Sequence, residues 1–186
     1  MNRLKSPPAS APRPGLRKPD VPLPTAPALQ SAEHFDLLSH WQIDAPLDQV
    51  WTALTDTEAW PRWWPQVREV RLLRAGEGSG LGSVRRIRWA TRLPHQICVD
   101  IELVELLPRQ RIRGRSCGQL QGEGIWLLST EGPRTHLTYL WRVRLNTAWM
   151  RRLAPLLAPL FRWNHESVMR AGEAGLRRWL EGPARD

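Results

Sequence analysis

The sequence predicts an α+β fold in which a curved antiparallel sheet wraps around a long C-terminal helix. Three observations predict it: apolar residues alternate along most of residues 35–145, a few turn residues separate the alternating segments, and the chain ends in an amphipathic helical pattern. The length of 186 residues fits one domain with a tail, because a single domain usually spans roughly 100–200 residues.

Residues 1–32 are rich in Pro, Ala and Ser and have no apolar periodicity. We therefore predict a disordered, Pro-rich tail before a folded domain over residues 33–182. The sequence has neither a signal-peptide h-region nor an apolar run of ~18 residues. Cys98 and Cys117 form no metal-binding or disulfide pattern. These features predict a cytoplasmic protein that needs no metal or other cofactor, and they leave the oligomeric state open.

The predicted domain opens with a strand and two short helices. The apolar side chains on one side of the strand are Phe35, Leu37, Trp41 and Ile43. Residues 47–54 carry apolar side chains at helical spacing, and a second turn is predicted from Asp56 to Trp60, ended by Pro61. The tryptophans at 60, 63 and 64 are expected to anchor the next corner by burial. Gating of a cavity mouth or stacking on an aromatic ligand is the alternative.

Six further strands follow, joined by short turns typical of an antiparallel meander. They are predicted at Val67–Arg74, Leu81–Ala90, His95–Leu107, Gln110–Cys117, Leu120–Thr130 and Thr135–Leu145. The glycines of residues 76–80 join strand to strand, so they predict a hairpin turn rather than a phosphate loop, which needs a following helix.

A turn at Leu107-Pro108 would fix the register of one hairpin. It would pair Glu102 with Arg113, Asp100 with Arg115, and Cys98 with Cys117 on the outer face. A bulge near Glu105 is the alternative, and it would shift this register.

The C-terminal pattern predicts a helix that Pro155 and Pro159 interrupt, continuing as a longer helix over residues 160–180. Gly172 and Gly175 lie on this helix and would let its axis approach the sheet closely.

This order of elements is that of the helix-grip fold, and several segments resemble one known superfamily. They are Ile43-Asp44-Ala45-Pro46, Trp60-Pro61-Arg62-Trp63-Trp64-Pro65, Gly118-Gln119-Leu120-Gln121-Gly122 and Trp163-Asn164-His165. Over residues 35–182 the chain resembles SRPBCC (START-like) proteins of the polyketide cyclase/dehydrase and lipid transport type. That superfamily includes lipid carriers, quinone-binding chaperones, hormone receptors and aromatase/cyclases, so the resemblance implies the fold without fixing the function.

The fold implies an apolar, nearly closed cavity of roughly 300 Å³ or more between the sheet and the last helix. The candidate ligand-binding residues are Trp89, Trp126, Tyr139, Trp141, Asn164, His165 and Val168, with His95 and Ser116 as further polar candidates. Tyr139 and Asn164 have structural alternatives, a core tyrosine and a helix-to-sheet hydrogen bond. His165-Glu166 is not a zinc motif, because Met169 stands where the second histidine would be required.

The net charge of +9 and the eleven tryptophans invite a nucleic-acid hypothesis. However, arginines alternate with apolar residues in three predicted strands. They are Arg86, Arg88, Arg111, Arg113, Arg115, Arg142 and Arg144. This pattern is typical of a solvated outer face, partly balanced by Asp100 and Glu102. We therefore expect no nucleic-acid partner, whereas transient contact with an anionic membrane surface would suit a lipid carrier.

The leading hypothesis is a non-catalytic protein that binds or transfers a small hydrophobic ligand such as a lipid, a quinone or an aromatic polyketide-like molecule. The alternative is an aromatase/cyclase- or dehydratase-type enzyme. In it Tyr139, Asn164 or His165 would act on a poly-carbonyl substrate.

Overall fold

The computed structural model describes residues 34–90, 97–146 and 148–182. Its strands are β1 (His34–Ile43), β2 (Val67–Arg74), β3 (Val84–Trp89), β4 (Ile97–Leu107), β5 (Arg111–Gly118), β6 (Leu120–Glu131) and β7 (Arg134–Leu145). Its helices are α1 (Leu47–Thr55), α2 (Trp60–Trp63) and α3 (Ala148–Glu181), with a 3-10 turn at Thr57–Ala59 before α2. The tail predicted for residues 1–32 lies outside the described residues.

The seven strands form one antiparallel sheet in the order β1-β7-β6-β5-β4-β3-β2. The predicted meander is confirmed from β2 to β7, and β1 joins it by pairing with β7 from His34↔Arg144 to Ile43↔Thr135. With two short helical elements after β1 and a long final helix, this is the predicted helix-grip fold.

The last helix also covers the free edge of β1. The Gln42 backbone N–H donates to Glu173 Oε1 (N···O 3.0 Å), and Arg177 Nη2 donates to the Gln42 carbonyl oxygen (2.8 Å). These contacts satisfy backbone groups that an edge strand would otherwise present to other chains.

The tryptophan corner, formed by Trp60, Trp63 and Trp64, anchors α3 from the other side. All three residues are buried, and the Trp64 indole N–H donates to the Val168 carbonyl oxygen of α3 (3.0 Å). A Cβ atom at Gly172 would overlap the Trp64 ring, and one at Gly175 would overlap the Trp63 carbonyl. The two glycines therefore do bring α3 close to a neighbour, but that neighbour is the tryptophan corner rather than the sheet.

The structure moves two predicted boundaries, the end of the helical turn at Pro61 and the start of the strand predicted at residues 81–90. Pro61 lies in the first turn of α2 instead of ending a helix, where its missing N–H costs no hydrogen bond. The predicted strand at 81–90 begins only at Val84, because Gly80 and Gly82 adopt positive φ in the loop.

Helix α3 runs without a break from Ala148 to Glu181, past both prolines that were expected to interrupt it. A proline removes one backbone hydrogen bond and can bend a helix without ending it. Pro155 and Pro159 are four residues apart, so the two missing backbone hydrogen bonds lie on the same side of the helix. No helix in the described ranges is long and apolar enough to cross a membrane.

The predicted register of the β4–β5 hairpin is wrong. Cys117 pairs with Asp100 rather than with Cys98, and Arg115 pairs with Glu102. The turn lies at residues 108–110, later than expected, with Arg109 at φ 61°. A bulge between Leu103 and Glu105 then shifts the register further along the hairpin, and both cysteines are free thiols.

Candidate ligand-binding cavity

A cavity of about 250 Å³ lies between the inner face of the sheet and α3. The inward side chains of β4 that line it, as their alternation predicted, are Ile97, Val99, Ile101 and Leu103. The cavity lies where it was predicted but is somewhat smaller than the volume of ~300 Å³ expected for a ligand site. It is also not closed, because the exposed Ser79 of the β2–β3 loop belongs to its wall.

Aromatic rings form much of the wall. The Trp126 and Tyr139 rings stack with their centroids 4.3 Å apart, and Trp141 stacks on Tyr139 at 6.1 Å. A Cβ atom at Gly124 would lie 2.6 Å from the Tyr139 hydroxyl oxygen, so this glycine leaves the space that the ring occupies. Trp60 and Trp64 line the cavity as well, so the tryptophan corner is both an anchor and a wall.

All seven predicted ligand-binding residues line this one cavity. They come from β3 (Trp89), β6 (Trp126), β7 (Tyr139 and Trp141) and α3 (Asn164, His165 and Val168). That they bind a ligand stays a prediction. Of the two further candidates, Ser116 is buried outside the lining set, and His95 lies outside the described residues.

Polar side chains meet at the β1–β7 side of the cavity. His165 Nε2 lies 3.2 Å from Ser39 Oγ, within hydrogen-bond distance, and the His165 and Tyr139 rings are nearly parallel with centroids 6.4 Å apart. Asn164, the residue before His165, is buried and also lines the cavity. We call Ser39, Tyr139, Asn164 and His165 the β7 polar group.

Burial sets the protonation state of this group. It lowers the pKa of His165 to about 4, because the imidazolium would lose its hydration. It also raises the pKa of the Tyr139 phenol. Both side chains line the cavity and are half-buried by surface area. At neutral pH the β7 polar group therefore has no net charge from either residue.

A second polar group lies on the β3 side. It consists of Thr55, Thr57, Ser79 and Arg85. Arg85 Nε donates to Glu58 Oε1 (2.9 Å), and Arg85 Nη1 donates to Ser83 Oγ (2.5 Å). The arginine holds the pKa of the Glu58 carboxyl below its usual value, despite an opposing desolvation effect. The cavity thus has one polar side without charged groups and one polar side whose arginine is paired with Glu58.

Sequence reasoning missed the cavity-lining polar residues Thr55, Thr57, Ser79 and Arg85, and it also missed Ser39, the partner of His165. One signal would have identified Ser39 and Arg85. Ser39 shares the inward parity of Leu37 and Trp41 on β1, and Arg85 lines the cavity two residues before Ile87 on β3. A polar residue at an inward position of an apolar alternation either needs a buried partner or faces a cavity. Both residues have a polar partner in the structure.

Solved structures similar to this chain share its fold. The aromatase/cyclase Zhui from Streptomyces sp. R1128 is 18% identical with a TM-score of 0.68, covering 82% of this chain and 96% of that one. A START superfamily protein from Mycobacterium smegmatis is 15% identical with a TM-score of 0.65, covering 78% and 97%. A protein from Thermus thermophilus is 21% identical with a TM-score of 0.63, covering 76% and 97%.

At these identities the likeness concerns the fold alone. No curated protein matches the sequence. The sequence does match a family model over residues 39–181, a range that includes both polar groups and nearly all of the sheet. The chain therefore belongs to the polyketide cyclase/dehydrase and lipid transport family.

Proposed function

We propose that this protein binds a small, mostly apolar, oxygen-bearing ligand in the cavity and carries it without chemical change. The observation that supports this most is the lining, which is apolar except for a few side chains gathered on two sides. Burial of apolar ligand surface contributes about 25 cal/mol per Å², and the polar groups would orient the ligand. A lipid, a quinone or an aromatic polyketide-like molecule fits this description. Such a carrier would act in the cytoplasm, with transient contact at anionic membrane surfaces.

The protonation state of the β7 polar group favours binding over catalysis. A general base works best when its pKa lies near the working pH, whereas that of His165 is lowered to about 4. The neutral imidazole is thus a weak base but a good hydrogen-bond partner. Tyr139 stays protonated and can donate to a ligand carbonyl or hydroxyl group.

The direct test is to identify what the purified protein carries. Native mass spectrometry is expected to show the chain with a non-covalent adduct that organic extraction removes, and the extract identifies the ligand. The neutral dye N-phenylnaphthylamine is then expected to bind the extracted protein with increased fluorescence and to be displaced by the extract. A protein that carries no adduct and does not bind the dye would contradict the proposal.

A second candidate function has one observation in its favour. Ser39 and His165 converge within 3.2 Å beside Tyr139, and paired polar groups of this kind are what a cyclase or dehydratase cavity would need. In such a reaction His165 would take a C–H proton, the carbanion would attack a ketone carbon to form a ring, and the resulting alkoxide would take the proton back from His165. The new hydroxyl group and a neighbouring C–H proton would then leave as water.

Product analysis separates the two functions. A poly-carbonyl thioester incubated with an enzyme would give cyclised product, detected by mass and ultraviolet absorbance, at a rate reduced in His165→Gln. A carrier would bind the same compound and release it unchanged, which is the result that we expect.

A further inference from the structure

One charged side chain, that of Arg85, lines the cavity. Among the described residues that line the cavity, Arg85 is the only one with a formally charged side chain at neutral pH. It lines the cavity from β3, two residues before Ile87, whereas its neighbour Arg86 is on the outer face, paired with Asp100. An arginine in an otherwise apolar wall is costly unless its charge is matched.

The partners of Arg85 use only some of its hydrogen-bond donors. A guanidinium has five N–H donors, and Arg85 uses one for Glu58 and one for Ser83. Within the described ranges, no bond is seen from the other three. Glu58 itself has a side chain that is 49% exposed, whereas the Arg85 side chain is only 23% exposed. The arginine is therefore the inner member of the pair, and it has donors left for a second acceptor.

The two polar groups of the cavity are well separated. Arg85 is on β3 and Tyr139 is on β7, with β4, β5 and β6 between them. Four strand spacings of ~4.8 Å give roughly 19 Å along the curved sheet, and the straight distance across the cavity is shorter. One ligand could therefore contact both groups only if it were elongated and apolar along its middle.

We propose that Arg85 is an anion-binding anchor at the mouth of the cavity, holding a carboxylate or similar monoanionic group of an elongated, mostly apolar ligand. The inference deepens the proposed function and rests on it. A single guanidinium offers bidentate geometry to one carboxylate, and the hydroxyls of Thr55, Thr57 and Ser79 lie on the same side of the cavity. The neutral end of the ligand would then reach the β7 polar group. Glu58 is paired with Arg85 and would compete with the ligand.

Two dyes that differ in one group test the anchor. Anilinonaphthalene sulfonate carries an anionic sulfonate, and N-phenylnaphthylamine is nearly the same molecule without it. In Arg85→Gln the Kd for the sulfonate dye is expected to rise about tenfold, as for loss of a charge-assisted hydrogen bond. The Kd for the neutral dye should change less than about twofold, because apolar burial is unaffected.

The matched control is Arg86→Gln, which removes the same charge from the adjacent residue of the same strand. It is expected to leave both dye affinities unchanged. A second variant keeps the arginine: Glu58→Gln removes the competing carboxylate, so the sulfonate dye should bind about two- to fivefold more tightly. This variant keeps the test decisive if Arg85→Gln does not fold.

The outcomes are distinguishable. If the neutral dye fails to bind the wild-type protein, the proposed function fails, and the anchor fails with it. If both dyes bind but Arg85→Gln weakens them equally or not at all, or Glu58→Gln does not tighten the sulfonate dye, the anchor alone is overturned. Selective loss of the sulfonate dye in Arg85→Gln, together with an inert Arg86→Gln, supports it.

Discussion

The two faces of the sheet use the same strands but differ completely in chemistry. The tryptophans of the strands, Trp41, Trp89, Trp126 and Trp141, all face inward toward the core or the cavity. The outer face carries cross-strand ion pairs, among them Arg86–Asp100 (2.7 Å), Arg88–Glu69 (3.0 Å) and Arg113–Glu105 (3.2 Å). The tryptophans of the strands and these ion-paired arginines are thus separated by the thickness of the sheet.

This difference shows why the position of a residue along a strand matters more than its type. Arg85 and Arg86 are adjacent, yet Arg85 lines the cavity and Arg86 is exposed on the outer face. The same applies to histidines, because His165 borders the cavity while His40 lies on the exposed side of β1 with Thr138 as its partner. Substitutions on the inner face should therefore change the free energy of unfolding more than substitutions on the outer face.

The largest effect is expected for Trp64→Ala on the inner side. Trp64 is 2% exposed and contacts the rings of Trp41, Trp60 and Trp89. Its truncation leaves a cavity in the core, which should lower the free energy of unfolding by about 3–5 kcal/mol. Urea unfolding followed by circular dichroism measures this change. A loss as small as that of an outer-face arginine would show that the tryptophan corner does not hold α3 in place.

A smaller effect concerns acid stability. The pKa of His165 is about 4 in the folded protein and about 6.5 when unfolded, so the unfolded chain binds more protons between these values. Stability is therefore retained above pH ~6.5 and lost as the pH falls toward ~4, by up to about 3 kcal/mol. In His165→Gln this part of the pH dependence should disappear.

The control for that measurement is His40→Gln on the exposed side of β1. Unfolding free energies at several pH values are compared for the three proteins. Equal slopes for wild type and His165→Gln would mean that His165 is not buried in neutral form.

The smallest effect is expected on the outer face. Glu123 lies 3.8 Å from Arg113 Nη1 and 3.6 Å from Arg142 Nη1, and its side chain is 33% exposed. Because solvent screens such pairs, Glu123→Gln should cost less than about 1 kcal/mol. The difference should shrink further in high salt. A cost comparable with that of Trp64→Ala would contradict the assignment of this face to the solvated exterior.

Much of this architecture follows from local sequence patterns. The parts that local patterns did not predict depend on contacts between distant residues or on turn and bulge positions. Alternation predicted the inward residues of β4 and β7, and turn residues predicted the order from β2 to β7, because each depends on neighbours in sequence. The β4–β5 register depends on a turn that lies later than predicted and on a bulge between Leu103 and Glu105, which the sequence indicated only as an alternative. Likewise, the partner of Gly175 is set by how α3 packs on the tryptophan corner, which is a contact between residues more than one hundred positions apart.

The aromatic part of the candidate site was predictable from the sequence, whereas its long-range hydrogen bond was not. Aromatic residues at inward positions pointed to Trp126, Tyr139 and Trp141, which line the cavity. The hydrogen bond between Ser39 and His165 joins β1 to α3 across 126 positions, and a single sequence holds no local record of such a pairing. The inward placement of Ser39 was nevertheless visible in its alternation with Leu37 and Trp41.

The central claim is that the inner face encloses a ligand cavity and the outer face does not, and one matched pair of variants tests it directly. Ile101 lines the cavity from β4, whereas Ile125 lies on the outer side of β6 beside Arg113 and Leu140. Both side chains are half-buried in the free protein. Each is changed to tryptophan, and N-phenylnaphthylamine is titrated with excitation at a wavelength that tryptophan does not absorb. We predict that Ile101→Trp fills the cavity and abolishes dye binding, while Ile125→Trp binds as the wild type does. Equal binding by both folded variants would contradict the account.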